Sequence, residues 1–210
     1  MPVDSSWFSQ IEHEWAQLRR GDPSLDVEKF FRHVVSANKT GFLSLESIAA
    51  IANGLLASPL SGAPYLGRRL IERVGPDRHP ALRVALALSL LTETGGPVDY
   101  ELGHSMLGDV IKDDTAIDPL RGMAAAALAD SARLGRGLDP DLEMAKEMYA
   151  TALELGHRPA AYNLGLYWEG RWDGSAPGDV IPDNGKALQA YKRGGSSAKC
   201  AARLDALRAR

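Results

Sequence analysis

Helical hairpins recur along this chain with a period of 36 to 42 residues, and that recurrence constrains the fold more than any other feature. Ala124 and Leu128, with Ala132, Gly135 and Gly137 after them, are followed thirty-six residues on by Ala160 and Leu164, with Gly165, Trp168 and Gly170. Met144-Ala145 with Tyr149 returns as Lys186-Ala187 with Tyr191. Shifted back by forty residues, Leu88, Gly95, Val98 and Asp99 fall on Leu128, Gly135, Leu138 and Asp139, and a fainter echo links Leu66-Gly67 to Leu102-Gly103. A repeat of this length cannot bury its apolar face alone and does so by stacking on its neighbours, which is how a helical solenoid is built.

The units are helical throughout. Leu120, Met123, Ala124, Ala127, Leu128 and Leu134 follow the i, i+3, i+4, i+7 rule, as do Leu142, Ala145, Met148, Tyr149 and Ala152, and strict alternation never lasts a strand's length. Thirty alanines and twenty-eight leucines in 210 residues favour helix, and aromatic residues are only 7%. The alanines sit where helices must approach closely, and the leucines fill the layers between. Asp118-Pro119 and Asp139-Pro140 are expected as helix starts, with a capping carboxylate before a proline at the first helical position. Gly75, Gly135, Gly137 and Gly156 are expected as stops. The spacing predicts about eleven helices, near 5–19, 25–37, 45–57, 65–74, 79–94, 99–112, 119–134, 140–155, 158–169, 184–193 and 197–208. The expected fold is all-α: a right-handed α-α superhelix (solenoid) of about five helical hairpins with a C-terminal capping helix. It is expected as one domain over 1–210. Residues 1–40 form a divergent helical pair, 44–117 degenerate repeats, 118–195 two clear repeats, and 196–210 the cap, with Ala198, Ala202, Leu204 and Leu207 on its apolar side.

The run Ala160-Ala161-Tyr162-Asn163-Leu164-Gly165-Leu166-Tyr167-Trp168-Glu169-Gly170, with Lys186-Ala187 and Tyr191 after it, resembles a Sel-one-like repeat, a relative of the tetratricopeptide repeat. Gly135, Gly137, Ala145, Ala152 and Gly156 fit the same pattern one unit earlier. The match departs at Ala129, where the family usually has glycine, at the insertion Arg171 to Pro182, and at Gly194-Gly195, where an alanine is usual. The resemblance implies a non-catalytic scaffold or adaptor that binds a protein partner on the concave face or on the 171–182 loop. It also leaves open a bacterial immunity protein that neutralises a toxin by direct binding. The bias of seventeen Arg to seven Lys, with high Ala and Gly, suits a GC-rich bacterial gene. A hydrolase reading rests on cysteine-rich relatives with paired cysteines and a secretory signal. Cys200 is the only cysteine here, so that reading ranks last and no enzyme is expected.

The chemistry-bearing residues agree. The five histidines, His13, His33, His79, His104 and His157, are never paired at metal-ligand spacing. His13-Glu14 opens like a zinc-protease motif, but Gln17 stands where the second histidine belongs. Cys200 reads as a packed thiol and Asp113-Asp114 as a solvated turn. Asp173, Ser175 and Asp179 in the insertion lack the closing glutamate of a calcium loop. There is no nucleophile elbow, phosphate loop or dinucleotide fingerprint, so no catalytic residue, cofactor or metal is expected. A net charge of −3 excludes a generally basic nucleic-acid binder. No apolar run reaches the roughly 20 residues of a membrane span. The first residues, with Asp4, Glu12 and Glu14, lack a secretory signal's basic start and apolar stretch, so a cytoplasmic protein is expected.

Two features point to a partner. Tyr162, Tyr167, Trp168, Arg171 and Trp172 crowd one hairpin; Trp168 is expected in the core, and Tyr162 and Trp172 exposed beside Arg171 as binding residues. Charge is also polarised. Residues 186–210 carry seven Lys or Arg and one acid, while 93–118 carry seven acids and one base. Such a surface could steer a partner or stack against another copy.

Overall fold

The computed structural model describes residues 5–172 and 180–209, with 5–8 by their backbone. Among these residues there are eleven α-helices and no strand. They are α1 (Ser5–Arg20), α2 (Val27–Lys39), α3 (Leu45–Leu56), α4 (Ala63–Val74), α5 (Pro80–Leu91), α6 (Tyr100–Lys112), α7 (Asp118–Leu134), α8 (Leu142–Glu154), α9 (Ala160–Trp168), α10 (Asn184–Arg193) and α11 (Ala198–Arg208). A 3-10 turn, Pro76–Arg78, precedes α5. No described helix is long and apolar enough to cross a membrane. The chain divides into two compact units, 1–106 and 107–210, with the boundary inside α6.

In the first unit, α1/α2 and α3/α4 are hairpins stacked like on like, α1 against α3 and α2 against α4. Phe30, Ile48, Leu55, Leu70 and Ile71 of these helices are fully buried, as is Leu82 of α5, which packs on α3 and α4. The divergent N-terminal pair therefore packs on the hairpin that follows it. Trp15 of α1 lies over Gly54 of α3, occupying the space a side chain there would take. Glu14, buried on α1, receives Gln10 Nε2 at 3.3 Å and faces His33 Nδ1 of α2 at 2.8 Å. His33 is thus committed to an interior contact.

The second unit stacks α7/α8, α9/α10 and the capping helix α11. The repeat period is sharpest at the starts of the second helices. Asp99, Asp141 and Asp183 stand forty-two residues apart. Each accepts a backbone N–H three residues on, from Leu102 (3.0 Å), Met144 (2.8 Å) and Lys186 (2.9 Å). Each cap of this kind contributes about 1 kcal/mol. Asp141, not Asp139, therefore caps α8, because Pro140 precedes the helix instead of opening it. Asp118 is likewise not a cap: it lies inside the first turn of α7, where its charge meets the positive helix end, and Ile117 holds the N-cap without a side-chain bond.

The tyrosines repeat with the caps. Tyr149 and Tyr191 are fully buried, also forty-two residues apart, and each hydroxyl donates to a carboxylate, Tyr149 to Asp130 and Tyr191 to Glu169. Burial and the neighbouring carboxylates push both phenols well above the ordinary tyrosine range. An arginine completes each group, Arg133 beside Tyr149 and Arg203 of α11 on Glu169. Arg133 and Glu169 occupy the same repeat position with opposite charge. The last repeat therefore recruits its cation from the cap, and the inward side of α11 is Cys200, Arg203, Leu204 and Leu207, while Ala198 and Ala202 are exposed. The Cys200 thiol is buried against Gly194, where a side chain would start only 2.4 Å from Sγ. That contact explains the glycine at a position where the resemblance leads one to expect alanine.

Gly165 answers to the Tyr191 ring. A Cβ at 165 would lie 2.2 Å from Tyr191 Cε1, and the ring is held by its bond to Glu169. Ala129 holds the corresponding position opposite Tyr149 and is itself fully buried, so the earlier repeat has settled on a different spacing. Gly165→Ala should cost about 1–3 kcal/mol by overpacking. Urea denaturation measures it, and the loss should shrink in a Tyr191→Ala background because the two side chains share one space. An unchanged midpoint in the single variant would refute the clash.

Candidate functional site

Helix α9 carries the aromatic residues that the repeat does not supply elsewhere. Ala160, Ala161, Leu164 and Gly165 face inward, which leaves Tyr162, Asn163, Leu166 and Trp168 half-buried. At its end Gly170 takes the left-handed conformation (φ 64°), a backbone that glycine adopts without strain, and the chain reverses. That reversal brings Trp172 back under the helix.

Trp172 is only 5% exposed. Its indole packs edge-on against Tyr149 and Tyr167, with ring centres 5.6 and 5.0 Å away, and its Nε1–H donates to the Asn163 carbonyl at 2.7 Å. The expectation of an exposed Trp172 is thus overturned. An indole is buried favourably when its one donor finds an acceptor, and the turn at Gly170 carries the indole back to the Asn163 carbonyl of α9. Tyr167 is buried too. Its hydroxyl donates to Glu143 of α8, and burial together with that carboxylate raises its pKa to about 12.

Trp168 takes the place expected of Trp172. It stacks edge-on against Tyr167 at 5.0 Å and leaves part of its indole to solvent. Lys186 Nζ of α10 lies 4.3 Å from its ring centre and Lys146 Nζ of α8 lies 6.0 Å away. Each ammonium also has an acid near it, Lys146 with Glu143 and Lys186 with Asp183 at 3.7 Å. At an exposed site each such cation–ring contact contributes about 0.5–1 kcal/mol. Tyr162 looks out from another side of α9, tilted against Tyr191 at 6.3 Å and under Lys199 Nζ at 5.5 Å. Arg171 is exposed, and its charge helps hold the Glu169 carboxyl low.

The five expected residues therefore separate. Tyr167, Trp168 and Trp172 form one cluster, of which only Trp168 reaches solvent. Tyr162 and Arg171 stand apart from it. Lys146 and Lys186 escape sequence reasoning, because nothing local shows that α8 and α10 converge on Trp168. Asp173, Ser175 and Asp179 lie outside the described residues. Among the described residues, no three His, Cys, Asp or Glu side chains form a group that could hold a metal ion.

A second surface is absent from the sequence reading. On α4, Tyr65 is exposed and lines a groove with Phe31 and Arg32 of α2 and with Arg69. The signal available was the one-turn spacing of Tyr65, Arg69 and Arg73 along a single helical face.

No protein-family profile matches the sequence, and no curated protein matches it. Solved structures do. A Sel1 repeat protein from Oxalobacter formigenes superposes with a TM-score of 0.58 at 20% identity, over 85% of this chain and 74% of that one. A Sel1 repeat protein from Klebsiella pneumoniae subsp. pneumoniae gives 0.54 at 19% identity, over 97% and 98%. A protective antigen of uropathogenic Escherichia coli strains, itself displaying this repeat fold, gives 0.62 at 14% identity over 85% of this chain. This chain spans only 36% of that antigen's length. The helical hairpins, their periodic caps and these superpositions agree: the chain has the Sel1-repeat fold.

Proposed function

We propose that this chain is a non-catalytic protein–protein interaction scaffold that engages a protein partner through the surface around Trp168, Lys146 and Lys186. The Sel1-repeat fold is commonly such a scaffold. One observation carries the reading. Of the aromatic cluster Tyr149, Tyr167, Trp168 and Trp172, only Trp168 is left partly in solvent, and two lysines from neighbouring helices attend it. Trp is among the side chains on which interface energy concentrates. The polar groups of the cluster support the scaffold reading from the other side. The hydroxyls of Tyr149, Tyr167 and Tyr191 are each bound to a carboxylate, and Cys200 is buried.

The test is capture of partners from the native cell with the wild-type chain and with Trp168→Ala as baits, followed by calorimetry on the protein recovered. Trp168→Ala should weaken that complex by about 2 kcal/mol, roughly thirtyfold, while the chain still folds. Equal affinity of the two baits refutes the surface. Turnover of a small molecule with no protein captured refutes the scaffold.

A further inference from the structure

In the first unit α2 and α4 leave a groove of about 440 Å³ between them. Its floor is apolar, with Val27 and Leu66 nearly buried and the ring of Phe31 half-buried. Tyr65 stands on its wall, 53% exposed. A further hollow of about 310 Å³ shares Phe31 and Arg69 and reaches Arg73. Tyr65 and Arg73 are two helical turns apart on α4, roughly 12 Å.

The charges of this groove do not cancel. Glu72 accepts from Arg68 Nε at 3.1 Å, and Glu28 lies 3.7 Å from Arg32. Arg69 lies over the Tyr65 ring at 5.6 Å, and neither Arg69 nor Arg73 has an ion-pair partner among the described residues. An exposed tyrosine alone is ordinary. Here it coincides with a hollow, an apolar floor and two guanidinium groups lacking counter-charges.

We infer that this groove docks an acidic segment of a partner protein, one whose carboxylates flank an apolar or aromatic side chain. The apolar side chain lies on Phe31 and Leu66 against Tyr65. The carboxylates meet Arg69 and Arg73, whose planar forks bind carboxylate through two parallel hydrogen bonds. If the segment is helical, its anchor and its acids fall one and two turns apart, matching the spacing along α4. These residues are distinct from those around Trp168, so either surface can fail without the other.

Selection of peptides from a random display library against the full chain tests this, with enriched peptides measured by fluorescence anisotropy. Enriched peptides should carry net negative charge and at least one large apolar residue. Tyr65→Ala and Arg69→Glu should each weaken them about tenfold or more, Arg69→Gln by less, and added salt should weaken them further. Both side chains are exposed, and unchanged melting curves confirm that the variants fold. Arg193→Glu, an equal change of charge on exposed α10, should leave binding as it was. The inference is overturned by the absence of enrichment, by enrichment of neutral or basic peptides, or by acidic peptides that survive both Tyr65→Ala and Arg69→Glu. It is also overturned if binding falls with Trp168→Ala instead. Self-association that Tyr65→Ala abolishes would assign the groove to a second copy and overturn it as well.

Discussion

Replacing Trp172 with alanine should lower the unfolding free energy of the second unit by about 3–5 kcal/mol, the range for deleting a large buried aromatic side chain. The indole touches Tyr149 and Tyr167, and its removal opens a cavity between α8 and α9. It also removes the hydrogen bond from the indole to the Asn163 carbonyl. Trp172→Phe keeps most of the ring and loses only the N–H, so it should cost about 1–2 kcal/mol. Guanidinium denaturation reads both, and hydrogen exchange should place the loss in α8 and α9. A change below about 1 kcal/mol in Trp172→Ala would contradict the buried position. The same variant decides between two roles, because an exposed binding residue would cost affinity and leave the midpoint unmoved.

Glu169→Ala should cost about 3 kcal/mol or more. Its side chain is 1% exposed and accepts from Tyr191 at 2.6 Å and from Arg203 Nε at 3.0 Å, with a second bond to the same guanidinium. Deleting one partner of such a pair leaves the other charge and the phenol without their acceptor. Because Arg203 belongs to α11, the effect should appear first as faster amide exchange in the capping helix. Glu169→Gln retains an acceptor for Tyr191 and should cost less. Exchange in α11 as slow as in the wild type would sink this account of how the cap is held.

Glu169 also makes stability depend on pH. Burial pushes its carboxyl up, but the bonds from Arg203 and Tyr191 outweigh that and hold it below the ordinary 4.5. A carboxyl lowered by folding stabilises fully above its unfolded value and loses that contribution as pH falls through its folded value. The wild type should therefore weaken as pH drops below about 4.5, and in Glu169→Gln that fall should be shallower. Melting temperatures measured between neutral and acid pH check the difference.

Much of the architecture was legible because it is written at short range. The periodic alanines and leucines, and the glycines at helix ends, placed all eleven helices within a few residues, since the geometry of a helix acts over three to four positions. The cap of α8 lies at Asp141, two residues beyond the Asp139 that the sequence suggests, because Asp139-Pro140 and Asp141 offer similar local signals. Only the carboxylate's reach to the Met144 N–H distinguishes them.

The candidate sites were legible in composition and not in arrangement. Aromatic crowding is visible along α9 in the sequence, but the structure buries Trp172, expected outside, and leaves Trp168, expected in the core, half-buried. Trp172 is buried by Tyr149, twenty-three residues earlier, and by a chain reversal at Gly170 that follows no helical period. Trp168 stays half-buried, with Tyr167 against one edge and lysines that arrive from two other helices. The groove beside Tyr65 depends in the same way on α2 and α4, which are neighbours only in space. The sequence by itself determined that the chain is a stack of helical hairpins, because helix periodicity and repeat length are local quantities. Tertiary structure alone decided which aromatic ring is core and which is surface, because burial is settled by residues that meet only after the hairpins have packed.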